Sequence, residues 1–273
     1  MVSSPYLSYE KWISEQLYVL DKDTRQYLPF YLNKIQQKFI CEATGRDIIL
    51  KARQQGFSSL ILGIYTADFI LKENSLNVIV ADIADNAQDL LGRVKGYIQS
   101  YEEINKFKIP LKYNSKYELE NAINGSRYII GTAENTHFGR SKTITNLHMS
   151  EAAFYNHLKE LLAGAGTALV PNGRFVIETT ANGYNEFKEL WDNSLFNETG
   201  FNPLFYKASD FYSADFLERE KMRLGNLFKQ EYPETPEEAF LTSGDMFFDR
   251  NALEYYMDKI NERKQQMANL QKA

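Results

Sequence analysis

The sequence predicts an α/β fold with a mainly parallel sheet flanked by helices, and three observations carry that expectation. Short apolar runs of strand length alternate with stretches of helical length and periodicity, the pattern of βαβ units. The run Lys51-Ala-Arg-Gln-Gln-Gly-Phe-Ser58 follows one such strand directly and opens the next helix. Further along, Ser150-Glu151 closes another half-apolar strand with a carboxylate.

Composition sets the outer bounds. The 273 residues are 44% hydrophobic and 25% charged, as in an ordinary globular chain with ample length for a core. A net charge of −5 excludes a uniformly basic nucleic-acid binder, though not a local basic patch. Cys41 is the single cysteine, which rules out a disulfide framework or a thiolate metal site and fits a reducing cytoplasm. No basic-then-apolar leader opens the chain, and no apolar run has membrane-spanning length.

Residues 1–45 are aromatic-rich and read as a helical lead-in ending at Gly45. Asp47-Ile48-Ile49-Leu50 is a short apolar strand, and Ser58 to Leu71 has helical periodicity. Asn77–Ala81 is a second strand, followed by a helix from Asn86 to Tyr101 with Asp85 as its expected N-cap. Lys106 to Lys116, with lysines at 106, 108, 112 and 116, reads as a surface excursion. It is also the one obvious basic patch for a polyanion.

Three more strands are expected at Arg127–Thr132, Thr143–Met149 and Arg174–Thr179. After Phe201 the pattern turns helical and polar, and the prolines of Glu231-Tyr-Pro-Glu-Thr-Pro-Glu-Glu238 mark an extended turn before a short helix. From Glu254 onward the residues are mostly charged or amide-bearing. These breaks divide the chain into a lead-in (1–45), a core (46–210) and a lid and linker (211–273).

The run at 51–58 is a phosphate-binding loop with its lysine moved to the near end. In the frame G-x-x-x-x-G-K-[ST], Lys51 holds the first glycine's place, Gly56 is the second glycine, Phe57 replaces the lysine and Ser58 keeps the hydroxyl. Backbone N–H groups around Gly56, at a helix start, cradle anionic oxygens, and Lys51 is long enough to reach them from the opposite limb. A lysine restored at 57 is therefore expected to be tolerated. Glu151, at a strand end beside such a loop, is placed to act as general base on an attacking water. Ser150 stands where many nucleotide hydrolases carry aspartate, and a neutral hydroxyl is a poorer Mg²⁺ partner. His148 reads as a packed histidine, and with His137 and His157 it makes no metal-ligand pattern.

Four ordered motifs resemble the large terminase subunit of tailed bacteriophages: Lys51-Ala-Arg-Gln-Gln-Gly-Phe-Ser-Ser59, Leu147-His-Met-Ser-Glu-Ala-Ala-Phe154, Glu178-Thr-Thr-Ala-Asn-Gly183 and Tyr232-Pro-Glu-Thr-Pro-Glu-Glu-Ala-Phe240. The resemblance implies a P-loop NTPase of the additional-strand, catalytic-glutamate type with a small helical C-terminal lid and linker, using ATP and Mg²⁺. It implies a phosphate loop of Lys51, Ala52, Arg53, Gln54, Gln55, Gly56, Phe57, Ser58 and Ser59, with Ser58, Ser150 and Glu151 on the metal side. Glu151 would be the catalytic acid, and Thr179, Thr180 and Asn182 the segment coupling hydrolysis to motion. Gln36 would read adenine, with Gln37 beside it as the alternative. Arg140 would reach a neighbouring active site as an arginine finger, unless Arg53 stabilises the same charge in cis.

The implied partners are double-stranded DNA, a portal protein, a small terminase subunit and further copies in a ring at the portal, or no copy at all in isolation. The implied location is the host bacterial cytoplasm, transiently docked on a procapsid, with no membrane. Full-length relatives add a ribonuclease H type nuclease, so the chain reads as the ATPase half alone. Two rival readings differ in kind. A helicase-like translocase needs arginine-bearing motifs in a second parallel domain, which the residues after 201 do not offer. A nucleotide-binding scaffold without hydrolysis is motivated by Phe57 and Ser150 and opposed by Lys51 and Glu151.

Overall fold

A computed structural model describes residues 4–21, 24–135, 142–241 and Lys259. Strands β1 (Tyr18–Leu20) and β2 (Tyr27–Pro29) form a small antiparallel hairpin. The other eight are β3 (Arg46–Lys51), β4 (Leu76–Ala81), β5 (Leu111–Asn114), β6 (Glu118–Asn121), β7 (Arg127–Thr132), β8 (Ile144–Ser150), β9 (Leu169–Thr179) and β10 (Asn202–Tyr206). They join in one sheet of order β10-β3-β9-β8-β4-β7-β6-β5, parallel from β10 to β7 and antiparallel at the β7-β6-β5 edge. Strand β9 lies between β3, which carries the loop at 51–58, and β8, which ends in Ser150; this is the expected additional strand.

Alternate side chains of the central strands go to opposite faces, and both faces are buried, as helices on each side of a parallel sheet require. Ile49, Ile79 and Val176 join one core with helices α1 (Tyr9–Gln16), α2 (Lys34–Glu42), α3 (Phe57–Leu71) and α4 (Ala84–Asn105). Ile48, Leu50, Val78, Val80 and Ile177 join the other, against α5 (Leu158–Thr167) and α6 (Glu186–Leu195). Helices α7 (Ala214–Leu224), α8 (Phe228–Glu231) and α9 (Pro236–Leu241) follow the sheet, and Phe240 of α9 packs on Phe187 of α6. Among the described residues no helix is long and apolar enough to cross a membrane.

The structure departs from several expectations. The lead-in is not purely helical, because the β1-β2 hairpin interrupts it; strands of three residues are too short for alternation to reveal. The segment after Phe201 begins with β10, not with a helix. Asn202-Pro-Leu-Phe-Tyr206 contains a proline, which an edge strand tolerates, and its half-burial hides the alternation. The excursion at 106–116 ends in β5, paired with a further unexpected strand, β6. Helix α4 starts earlier and ends later than expected, so Asp85 sits inside its first turn while Ile83 is the N-cap. There the carboxylate acts on the helix dipole and caps no N–H. The lid and linker expected over 211–273 is described only to Leu241, apart from Lys259.

At the end of the sheet away from the loop, a buried polar network ties α3 to β8 and β9. Asp68 pairs with Arg174, and its carboxylate also accepts from Asn146 Nδ2 at 2.9 Å and Tyr9 Oη at 2.5 Å. Arg174 Nε donates to Asn146 Oδ1 at 2.9 Å, and its guanidinium lies 5.1–5.4 Å from the ring centres of Tyr6, Tyr9 and Tyr65. Removing one member of a buried ion pair leaves the other uncompensated. Asp68→Ala is therefore expected to lose about 3–5 kcal/mol of stability in chemical denaturation. A loss under about 1 kcal/mol, the scale of an exposed pair, contradicts the clamp.

Candidate active site

The loop between β3 and α3 is braced from both sides. Gly56 has φ +85°, in the left-handed region, so conformation favours glycine, and a Cβ added there would lie 2.8 Å from Gln36 Nε2 and displace that carboxamide. Asn33 and Gln36 form a capping box at the start of α2. From that box Gln36 Nε2 donates to the Gly56 carbonyl at 2.8 Å and Asn33 Nδ2 to the Gln55 carbonyl at 3.2 Å. On the other side Gln55 Nε2 donates to the Lys207 carbonyl at 3.1 Å, and Arg53 N–H to the Glu231 carbonyl at 2.8 Å. The Tyr212 hydroxyl donates to the Arg53 carbonyl at 2.6 Å. The segments after β10 thus hold the loop from behind.

Charge in the site is organised around Lys51. Its buried ammonium lies 3.0 Å from Glu151 Oε1 and 3.2 Å from Glu178 Oε2. Burial alone would pull the Lys51 pKa down, but the two carboxylates outweigh it and hold the pKa above the ordinary lysine value. Burial alone would likewise raise Glu178; the Lys51 charge, helped by hydrogen bonds from His148 and Ser58, wins and keeps its carboxyl well below the usual range. Glu178 Oε1 accepts from Ser58 Oγ at 2.7 Å and Ser150 Oγ at 2.8 Å, with His148 Nε2 at 3.3 Å.

Glu151 stands just past β8 with φ +56°, an uncommon backbone for a non-glycine residue. Its position is fixed by contacts to the end of β9. Its N–H donates to the Glu178 carbonyl at 2.7 Å, and Oε2 accepts from Thr180 N–H at 3.2 Å, with Thr179 Oγ1 3.4 Å away. Asn182 Nδ2 donates to the Ala153 carbonyl at 3.3 Å, bracing the turn after Glu151.

Above these groups opens a cleft of about 900 Å³. Its floor is the loop with Lys51, Ser58, Ser150 and Glu151; one wall is α4 and another the β1-β2 hairpin. The wall from α4 presents Asn86, Asp89, Arg93 and Gly96, and Arg93 Nη1 is 3.5 Å from Ser59 Oγ. The site thus offers amides at a helix start, a buried ammonium, two hydroxyls and a half-exposed carboxylate, the set suited to a phosphate chain and an activated water. Two buried oxygens, Gln55 Oε1 and Glu178 Oε2, have no hydrogen-bond partner among the described residues.

The structure brings Lys51, Arg53, Gln54, Gln55, Gly56, Ser58, Ser59, Ser150 and Glu151 to the cleft. Ala52 is buried away from it with Ala208 and Tyr232. Gln36, expected to read adenine, uses its carboxamide within the protein, its Oε1 accepting from Asn33 N–H and its Nε2 donating to Gly56. Gln37 is exposed and bonded to Glu10. Thr179, Thr180 and Asn182 stand behind Glu151. Arg140 and His137 lie outside the described residues.

Phe57 borders the cleft, yet its ring is buried 4.8 Å from the Tyr206 ring centre and 5.7 Å from that of Phe39, so a lysine there is not the expected restoration of charge. Three contributors went unread: Glu178, Arg93 and the hairpin. An acid inside the buried run Arg174-Phe-Val-Ile-Glu178 was the available signal for the first. The polar stripe Asn86, Asp89, Arg93, at helical spacing in α4, was the signal for the second.

Comparison with known proteins agrees at the level of the fold. No protein-family model and no curated protein matches the sequence. Among solved structures, the large terminase ATPase domain of Thermus phage P74-26, in an arginine-to-alanine variant, aligns at a TM-score of 0.58 and 17% identity, over 78% of this chain and 95% of that one. The chain has the fold of phage large-terminase ATPase domains. The HK97 bacteriophage large terminase aligns at 0.62 and 16% identity over 86% of this chain, which spans 50% of the HK97 protein's length. The large terminase of a thermophilic bacteriophage, solved with ATP-γ-S, aligns at 0.56 and 13% identity, over 74% of this chain and 52% of that one. In this terminase-type fold the cleft sits at the carboxyl ends of parallel strands, where open α/β sheets bind ligands.

Because the Phe57 ring fills an aromatic core site, Phe57→Lys is expected to cost about 3 kcal/mol or more, the scale of emptying such a site, with charge burial added. Denaturant melts of Phe57→Lys beside Phe57→Leu measure this. A lysine variant as stable as the parent contradicts the packing.

Proposed function

We propose that this chain is an ATP-hydrolysing motor domain of the large-terminase kind, which drives double-stranded DNA into a procapsid. One observation supports it above the others: Lys51 at the phosphate loop and Glu151 at the end of β8 meet at 3.0 Å on the floor of one cleft, with β9 between their strands. The thermophilic phage's large terminase, which shares the fold, has been solved with ADP and with ATP-γ-S.

In this reading Lys51 and the amides around Gly56 bind the triphosphate, and Ser58 and Ser150 face the Mg²⁺ ion. A bound Mg²⁺ would supply positive charge to offset that of the phosphate oxygens. Phosphate oxygens compete with Glu151 for Lys51, so Glu151 is released to accept a proton from water only when a triphosphate fills the loop. Thr180, whose N–H is bonded to the other Glu151 oxygen, and Thr179 beside it carry that change into β9. Arg53, held 3.3 Å from Glu231, and Arg93 on the α4 wall are cations available in cis, and Arg140 is assigned the trans role across a ring of copies.

A portal protein, a small terminase subunit and transient docking on the procapsid in the host cytoplasm complete the proposal. The DNA-contacting surface is not assigned to the lysines at 106–116, since Lys112 sits 2.7 Å from Glu120 and Lys108 4.0 Å from Glu102, which spends part of their charge. The non-hydrolysing scaffold draws support from Ser150 alone, which offers no carboxylate.

The test is ATP turnover with Mg²⁺, with and without duplex DNA. Glu151→Gln is expected to keep nucleotide affinity while turnover falls by about 10²-fold or more. Lys51→Ala is expected to lose both. Mixtures of assembled Arg140→Ala and Glu151→Ala proteins are expected to regain part of the activity that each lacks. A parent that binds ATP without turnover establishes the scaffold reading, and equal loss of binding and turnover in Glu151→Gln makes that residue structural.

A further inference from the structure

We propose that Glu178 is the carboxylate of the Mg²⁺ site, supplying from the neighbouring strand what Ser150 lacks; the assignment rests on the ATPase reading above. Magnesium in phosphate-transfer sites is held by one or two protein carboxylates or hydroxyls together with substrate phosphates. Among the described residues no group of three or more His, Cys, Asp or Glu forms a dedicated cage, so a nucleotide-borne ion is the kind this cleft fits. At the end of β8, however, stands a serine, and a hydroxyl does not balance a divalent charge.

Ser150 and Glu178 are register partners on adjacent parallel strands, both at the cleft end of the sheet. The Glu178 carboxylate is within hydrogen-bond distance of both hydroxyls that face the metal side, Ser58 at 2.7 Å and Ser150 at 2.8 Å. It is therefore positioned to orient both hydroxyls, as carboxylates behind metal ligands do. Its second oxygen is fully buried without a hydrogen bond, although Lys51 Nζ lies 3.2 Å away. Charge balance points the same way. Within the Lys51 cluster one ammonium faces two carboxylates, Glu151 and Glu178, and a triphosphate adds more negative charge. A divalent cation beside Ser58 removes that excess.

A rival role for Glu178 is purely structural, tethering Lys51 with no part in metal binding. The two roles separate in a metal titration. Mn²⁺, used as a paramagnetic probe for Mg²⁺, is titrated by electron paramagnetic resonance into protein saturated with ATP-γ-S. ATP-γ-S affinity is measured separately in EDTA, and folding is checked by thermal melts. Glu178→Gln is expected to weaken Mn²⁺ binding by about 10-fold or more, the scale of losing a carboxylate behind metal ligands, and by more than it changes metal-free nucleotide affinity.

Moving the carboxylate to its usual place in the double variant Glu178→Gln with Ser150→Asp is expected to recover most of the Mn²⁺ affinity. If Glu178→Gln loses its thermal transition, Glu178→Asp, with the charge drawn back by one methylene, carries the same titration with the same expected direction. Unchanged Mn²⁺ affinity in the folded variant overturns the assignment. So does a parallel loss of metal-free nucleotide affinity that Ser150→Asp does not rescue. A parent protein that binds no ATP-γ-S in either condition overturns the ATPase reading itself, and the assignment with it.

Discussion

A buried ammonium between two carboxylates governs the rest of this cleft. Taking Lys51 out of water is costly, and Glu151 and Glu178 offset that cost only because two strand ends deliver them to within 3.0 and 3.2 Å. The sheet order follows the same demand. Inserting β9 between β3 and β8 puts Glu178 beside both the loop strand and the Glu151 strand, so one side chain reaches Ser58, Ser150 and Lys51 together. Neither carboxylate could be placed so by a flexible loop. The β9 position is locked by Arg174 and its clamp to Asp68 at one end and by the Glu151–Glu178 backbone bond at the other.

The two acids differ in what surrounds them, and that difference supports the roles proposed for them. Glu178 is fully buried, accepts from two hydroxyls and is held charged by Lys51, so it suits a fixed charge. Glu151 borders the cleft with its side chain 39% exposed, on a left-handed backbone, and shares Lys51 with Glu178. A group poised this way is free to act once Lys51 has another partner. The loop is held by Gln36 and Asn33 in front and by Lys207, Tyr212 and Glu231 behind, so its backbone is ready before any ligand arrives.

Much of this was legible in the sequence because it is local. The glycine at 56, the hydroxyl at 58 and the strand before them announce a loop whose geometry depends on neighbours in the chain. Glu151 was legible because it ends an apolar strand. Glu178 was not, because its meaning depends on which strands are neighbours, and sheet order is set by long-range packing that no window of residues carries. Gln36 carries contacts that only the fold creates, its carboxamide bonded to Asn33 and Gly56. Phe57 looked like a lost lysine in the motif frame, whereas Tyr206 and Phe39 make it a core residue. Strand β10 and the hairpin escaped notice because they are short, at edges, and only partly buried.

The central claim is that Lys51 exchanges Glu151 for phosphate. A crystal structure of this chain with ATP-γ-S and Mg²⁺ tests it most directly. The account predicts Lys51 Nζ on phosphate oxygens and beyond hydrogen-bond distance of Glu151 Oε1, with Glu178 still beside Ser58. Nucleotide bound in the cleft while the 3.0 Å Lys51–Glu151 contact persists would contradict it.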